Sequence, residues 1–185
     1  KEDGLKLCDF KKPEKPVLLV MGGSLGAVHI NDAIRKNLKS LVKKFNIIHL
    51  CGKGNLDETI ENDSYVQFEY VNEELKDIFA AADIVVSRAG ANAICELLVL
   101  AKPALLIPLS AEASRGDQIL NAASFKKQGF ADMLEEQDMT DEILLTKINE
   151  LYECREDYID KMKDSRMNNS TEKIMSLIKA TVKDR

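Results

Sequence analysis

The chain has no tryptophan, two histidines and four cysteines, and none of these scarce residues is arranged for chemistry. Cys8, Cys51, Cys95 and Cys154 lie far apart, with no C-x-x-C and no nearby histidine pair. That spacing argues against a zinc site or a disulfide framework and fits a reducing cytoplasm. His29 and His49 have no neighbouring acid or nucleophile in the sequence, so neither reads as a catalytic base. No apolar run approaches the roughly 20 residues needed to cross a bilayer, and the first residues are charged rather than signal-like. An integral membrane or secreted protein is therefore not expected. Basic residues are not in excess either: the net charge is -5 and the pI about 5.2. No nucleic acid and no anionic membrane surface is expected as a partner of this chain. Internal repeats and low-complexity segments are also missing.

What is present is an alternation of short apolar runs with amphipathic stretches, in 185 residues of which 45% are hydrophobic. That suffices for one domain core and not for two large ones. Residues 1–15, rich in charge and with Pro13 ahead of Pro16, read as a linker, and 16–185 as the domain. Strands are expected at Val17–Met21, Ile47–Cys51, Tyr65–Glu69, Ile84–Val86, Ala104–Ile107 and Ala131–Leu134. Between them, Ile30, Ile34, Leu38, Leu41, Val42 and Phe45 recur at helical spacing as one long stripe, and Glu73–Ala81 is a second helix. Past Thr140 the chain reads as helical, with Ile143, Leu144, Ile148 and Leu151 on one face, and a last helix is expected at about 170–183. The alternation predicts an α/β fold: a doubly wound, Rossmann-like parallel sheet of six strands in the order 3-2-1-4-5-6, with C-terminal helices.

In that order strands one and four are neighbours, so the turns after them meet at the topological switch point. Gly22-Gly23-Ser24-Leu25-Gly26 follows the first strand and Arg88-Ala89-Gly90-Ala91 the fourth. The glycines serve either tight packing or the close approach of a phosphate; the spacing is not that of a dinucleotide fingerprint. Cys51-Gly52-Lys53-Gly54 is a turn rather than a Walker A loop. Arg88 reads as a surface residue or as a partner for a diphosphate in the crevice. Glu96 reads as a first-turn acid favouring the helix dipole, or as the acceptor of both hydrogen bonds from a ribose diol. Asp117 reads as an N-cap or, with Gln118 and Asn121, as part of a ligand site at a helix start. An anionic guest is expected, because helix N-termini present unpaired N–H groups there.

Taken together, Gly22 to Ala27, Ser87-Arg88-Ala89-Gly90-Ala91, Glu96, Lys102-Pro103-Ala104-Leu105-Leu106-Ile107-Pro108, and Gly116-Asp117-Gln118 with Asn121-Ala122 carry a resemblance. The chain resembles the donor half of the MurG family, the peptidoglycan N-acetylglucosaminyltransferases, from about Pro16 through Leu134 and onward. The resemblance implies the C-terminal half of an inverting GT-B glycosyltransferase. Such an enzyme moves N-acetylglucosamine from UDP-GlcNAc to the C4 hydroxyl of the muramyl sugar of lipid I, making lipid II. It further implies that Gly22, Gly23 and Ser24 lie near the diphosphate and that Val71, after Tyr70, reads the uracil through its backbone. Gly90, Ala91, Asn92, Ala93, Ile94, Cys95 and Glu96 match the nucleotide-binding loop and helix, Glu96 being the ribose carboxylate. Gln118 matches a sugar contact, with Asp117 and Asn121 beside it.

The same resemblance implies what lies elsewhere. The acceptor site for lipid I, the general base and the membrane-docking patch belong to the family's N-terminal domain, so no catalytic residue is expected here and membrane contact is not through this domain. The full-length enzyme is expected in the cytoplasm, peripheral on the inner face of the membrane. The position of Leu25 is often glutamine in the family, so the resemblance does not carry over a hydrogen bond from that side chain to the sugar or phosphate. No cofactor and no tightly bound metal is expected, since no D-x-D pair occurs. Two alternatives stand: a donor-site subunit of a split lipid-linked N-acetylglucosaminyltransferase, and a non-catalytic nucleotide-sugar-binding module.

Overall fold

The computed structural model describes residues 1–23, 27–111 and 115–165. The expected last helix, and Ser24, Leu25 and Gly26 of the glycine turn, lie outside them. In chain order the elements are α1 (Glu2–Cys8), β1 (Val17–Met21), α2 (Val28–Lys36), α3 (Leu38–Leu41), β2 (Asn46–Leu50), β3 (Tyr65–Phe68), α4 (Leu75–Ala81) and β4 (Ile84–Ser87). They continue with α5 (Ala91–Val99), β5 (Ala104–Leu106), α6 (Asp117–Gln128), β6 (Ala131–Met133), a 3-10 turn (Glu136–Asp138), α7 (Asp141–Glu153) and α8 (Arg155–Asp164).

All six strands are parallel, in the order β3-β2-β1-β4-β5-β6, the doubly wound order expected. Both faces are covered, which is why the central strands are continuous apolar runs rather than alternating ones. Val17 and Leu19 of β1 belong to a core with α1, α4, α5, α6 and α8. Leu18 and Val20 point the other way, into a core with α2, α3 and α7. β2, β3, β5 and β6 end one residue earlier than expected, β1 ends as expected and β4 runs one residue further. Cys51, Ile107 and Leu134 each still donate one backbone bond to the neighbouring strand, at 2.9, 2.8 and 3.0 Å, before the chain leaves the sheet.

Three expectations are corrected. The stretch read as a linker contains α1, which lays Gly4 and Cys8 against the body of the domain, with Phe10 buried just beyond it. A seven-residue helix is too short to hold in isolation, so it exists through this packing and its sequence alone does not announce it. The long stripe from Ile30 to Phe45 is not one helix. Asn37, whose Nδ2 donates to Ala33 O (2.9 Å) and to Asp141 Oδ1 (3.1 Å), breaks it into α2 and α3 while Ile30, Ile34, Leu38 and Leu41 remain buried. In α7, Leu144, Ile148 and Leu151 are buried as expected, but Ile143 faces outward.

Gly4 makes the docking of α1 testable. A Cβ built there lies 2.2 Å from the Asp77 carbonyl oxygen on α4. In a free helix alanine would be favoured over glycine by about 0.8–1 kcal/mol. Here Gly4→Ala is expected to destabilise by about 1–3 kcal/mol instead, because the backbone contact forces α1 outward. Urea unfolding measures it, and a stabilised variant would mean α1 does not pack this way.

Between α2 and β2 lies a buried polar cluster. His49 Nε2 contacts Asn31 Oδ1 at 2.9 Å and His49 Nδ1 contacts the Tyr65 hydroxyl at 2.8 Å. Asn31 Nδ2 donates to Cys51 O (2.9 Å), so its Oδ1 is the acceptor. His49 is therefore neutral with the proton on Nε2, and Tyr65 donates to Nδ1. Burial, with the Arg35 charge second, pushes the His49 pKa down to about 3.

Candidate functional site

The register puts Met21 beside Ser87, so the turns after β1 and β4 leave the sheet side by side at the switch point. Gly23 has φ +87, a backbone conformation that glycine adopts without the steric cost of a side chain. A Cβ at either Gly23 or Gly90 would meet nothing within 4 Å, so both glycines face open space rather than a packed neighbour. Tight packing against a neighbour does not explain them.

Three helices begin at this edge. The N-caps of α2, α5 and α6 are Ala27, Gly90 and Gly116, and none supplies a side-chain cap. Among the described residues no N-cap side chain satisfies the first N–H groups of α2 and α5, and helix dipoles favour an anion at such starts. Neither α2 nor α5 has an acidic residue in its first turn that would oppose one.

Glu96 is placed one turn further along than the sequence suggested. With α5 starting at Ala91 it lies in the second turn, so dipole stabilisation in the first turn does not account for it. It is exposed, and among the described residues its carboxylate has neither a hydrogen-bond nor an ion-pair partner. Side chains on a helix lean towards its N-terminus, which directs this carboxylate back along Asn92 and Ala93 to the crevice. Ala91, Asn92 and Cys95 are exposed and Ala93 half-buried. Ile94 is 5% exposed with its side chain in the core, so only its backbone can face a ligand. On the far side of the switch point, Tyr70 is well exposed while Val71 packs against the core.

Asp117 is the first residue of α6 and not its cap; Gly116, at φ 81, holds that position. Gln118 and Asn121 fasten α6 to its surroundings. Leu109 N donates to Gln118 Oε1 (3.2 Å), the Gln118 amide N–H groups having no partner among the described residues, and Asn121 Nδ2 donates to Ala89 O (3.0 Å). The structure thus gathers Gly22, Gly23, Gly90, Ala91, Asn92, Glu96, Gln118 and Asn121 about one edge. Ser24 lies outside the described residues.

Arg88 departs from both sequence readings. It is 8% exposed, and its Nη1 donates to the carbonyls of Ile107 (3.0 Å) and Pro108 (3.3 Å) while Nη2 meets Glu136 Oε1 at 2.5 Å. A guanidinium so engaged supports the turn from beneath rather than meeting a diphosphate. Its carboxylate partner was not singled out in the sequence. The signal available was position alone, an acidic pair directly after the sixth strand, where every preceding strand is followed by a functional or structural turn. Beside it a cavity of about 340 Å³ opens between Pro108–Ala111, Ile119 and Glu135–Gln137. Among the described residues no group of three or more His, Cys, Asp or Glu side chains is arranged to hold a metal.

The profile of the glycosyltransferase family 28 C-terminal domain matches residues 17–179. The chain belongs to glycosyltransferase family 28. Relatives agree with family 28 along nearly the whole chain. A Clostridium botulinum (strain Loch Maree / Type A3) protein named UDP-N-acetylglucosamine--N-acetylmuramyl-(pentapeptide) pyrophosphoryl-undecaprenol N-acetylglucosamine transferase is 58% identical over 184 residues. The match covers 99% of this chain and 52% of the relative. A protein of the same name from Lachnospira eligens is 56% identical over 180 residues, 97% of this chain and 51% of that one. The chain therefore spans about half the length of the curated relatives it matches. Among solved structures, the crystal structure of Acinetobacter baumannii MurG superposes with a TM-score of 0.76 at 26% identity, covering 90% of this chain and 50% of that chain. The calicheamicin glycosyltransferase CalG4 matches with a TM-score of 0.69 at 15% identity, over 92% of this chain and 43% of that one, and shares the fold. The family 28 assignment and the doubly wound sheet of a GT-B C-terminal domain thus rest on sequence and structure together.

Proposed function

We propose that this domain binds UDP-N-acetylglucosamine and is the donor half of an inverting transferase that delivers the sugar to lipid I, forming lipid II for peptidoglycan. The observation that carries this reading is the 58% identity, over 99% of the chain, to a relative whose name states that donor and acceptor. The geometry supports it chemically. Uncapped starts of α2 and α5 suit a diphosphate, the exposed Glu96 carboxylate suits a ribose diol, and the Gln118 amide, its oxygen engaged by Leu109 N, has N–H groups that suit a sugar hydroxyl.

In this reading the chain's work is to hold the leaving group. As the glycosidic bond breaks, negative charge grows on the diphosphate, and the N–H groups of the two helix starts, already oriented, stabilise it without reorganising. The proton of the acceptor hydroxyl is taken by a group of the other half of such an enzyme, where we also place the lipid I site and the contact with the inner membrane face. By itself this domain binds donor and does not turn it over.

Calorimetric titration with UDP-GlcNAc and UDP-GalNAc tests the reading. Binding in the range of roughly 10 μM to 1 mM is expected, preferring UDP-GlcNAc. Glu96→Ala should weaken it by about 10- to 150-fold, the loss of hydrogen bonds to a charged group. Folded protein that binds neither nucleotide sugar would overturn the proposal.

A further inference from the structure

One carboxylate oxygen joins three parts of the carboxyl edge. Glu136 Oε1 receives Arg88 Nη2 at 2.5 Å and His29 Nδ1 at 3.3 Å. The two donors come from opposite sides of the switch point. His29 is the second residue of α2, so its own backbone N–H is among those that have no capping side chain among the described residues. Arg88 stands two residues before Gly90, the N-cap of α5, and also ties down the carbonyls of Ile107 and Pro108 beyond β5. Glu136 itself follows β6 and is only 15% exposed at its side chain, against 73% for His29.

We propose that Glu136 is a positioning residue for the diphosphate end of the donor site, a proposal that rests on the function given above. It holds the start of α2 and the turn before α5 at a fixed separation, so that their N–H groups converge on one anion. Its own charge would repel that anion, and Arg88 in direct contact cancels it. The uridine end of the site is held by other contacts: Val71 packs against the core after β3, and the body of α5, which carries Glu96, is anchored by buried Ile94, Leu97 and Leu98. The clamp therefore acts on affinity for phosphate and not for nucleoside.

The test is the ratio of UDP to uridine affinity, measured by NMR titration of the full chain. Glu136→Ala is expected to weaken UDP about tenfold and leave uridine unchanged, the scale of one positioned charged hydrogen bond. Glu136→Gln keeps the acceptor oxygen and should hold UDP binding within about threefold of the parent, below one tenfold step in free energy. If Glu136→Ala does not fold, His29→Ala removes only the exposed arm of the clamp and should lower the UDP to uridine ratio by itself. An unchanged ratio in a folded Glu136→Ala or His29→Ala variant overturns the positioning role, as does Glu136→Gln behaving like the alanine variant. Parent protein that binds no UDP sinks the donor reading first, and this proposal with it.

Discussion

Replacing Arg88 by alanine should lower the free energy of unfolding by about 3–5 kcal/mol, the usual cost of breaking a buried ion pair from one side. The substitution leaves the Glu136 carboxylate, at 15% exposure, with only the exposed His29 at 3.3 Å, and the carbonyls of Ile107 and Pro108 without their donor. Against a total stability of about 5–15 kcal/mol the loss is large, and the variant should be partly unfolded at growth temperature. Lysine is a poor substitute, since a point charge cannot reach two carbonyls and a carboxylate as the forked guanidinium does. Substituting both partners with apolar residues, as in Arg88→Met with Glu136→Leu, should recover much of the loss because no charge is then stranded. Urea unfolding of the three variants decides this. A loss under about 1 kcal/mol for Arg88→Ala would place the pair among ordinary surface contacts.

Acid should destabilise the domain earlier than its carboxylates require. His49 has a folded pKa of about 3 against 6.5 in the ordinary state, so between these values the unfolded chain binds the extra proton and the folded chain does not. The stabilisation is complete above pH 6.5 and is lost as pH falls towards 3, at about 1.4 kcal/mol per pH unit and about 5 kcal/mol over the full range. Asp132, held low by the Lys147 and Lys126 ammonium groups against the opposing effect of burial, also loses stability in acid. It does so only below the carboxylate's unfolded value, near 4. Between pH 6.5 and 4.5 the histidine therefore acts almost alone. His49→Gln, which cannot charge, should be less stable at pH 7.5 but nearly flat through that window. Denaturant midpoints at pH 7.5, 6.0 and 5.0 for both proteins check it, and parallel curves would show that His49 does not titrate on unfolding.

The sheet order was legible because buried parallel strands leave a plain mark: Val17–Met21, Ile47 and Ile48, and Ile84–Val86 are apolar without alternation, separated by amphipathic stretches. α1 escaped notice because seven residues are too few to hold a helix by themselves, and Gly4 looks like a breaker until the Asp77 carbonyl beside it is seen. Asn37 escaped because the apolar stripe runs through it unbroken; only its bonds to Ala33 and Asp141 reveal a joint. In the site, Gly23, Gly90, Glu96, Gln118 and Asn121 could be found from their places after strands and at helix starts. Arg88 could be found but not understood. Its partner stands 48 residues away on another strand's exit, and nothing local in the sequence couples the two.

The His49 cluster also solves a problem of parity that an all-apolar sheet creates. In a strand greasy on both faces, sliding by one residue exchanges the two faces and still buries only hydrocarbon, so polarity cannot tell the correct alignment from its neighbour. Ile47 and Ile48 of β2 could trade sides with little objection from either core. His49 cannot. Only on the α2 side do Asn31 and the Tyr65 hydroxyl wait for its two nitrogens; shifted by one, the ring would turn towards the opposite apolar layer and face it with both nitrogens bare. One buried imidazole thus serves as a phase mark for the strand beside the glycine turn, and the alignment of the binding edge is enforced from within the sheet rather than at its rim.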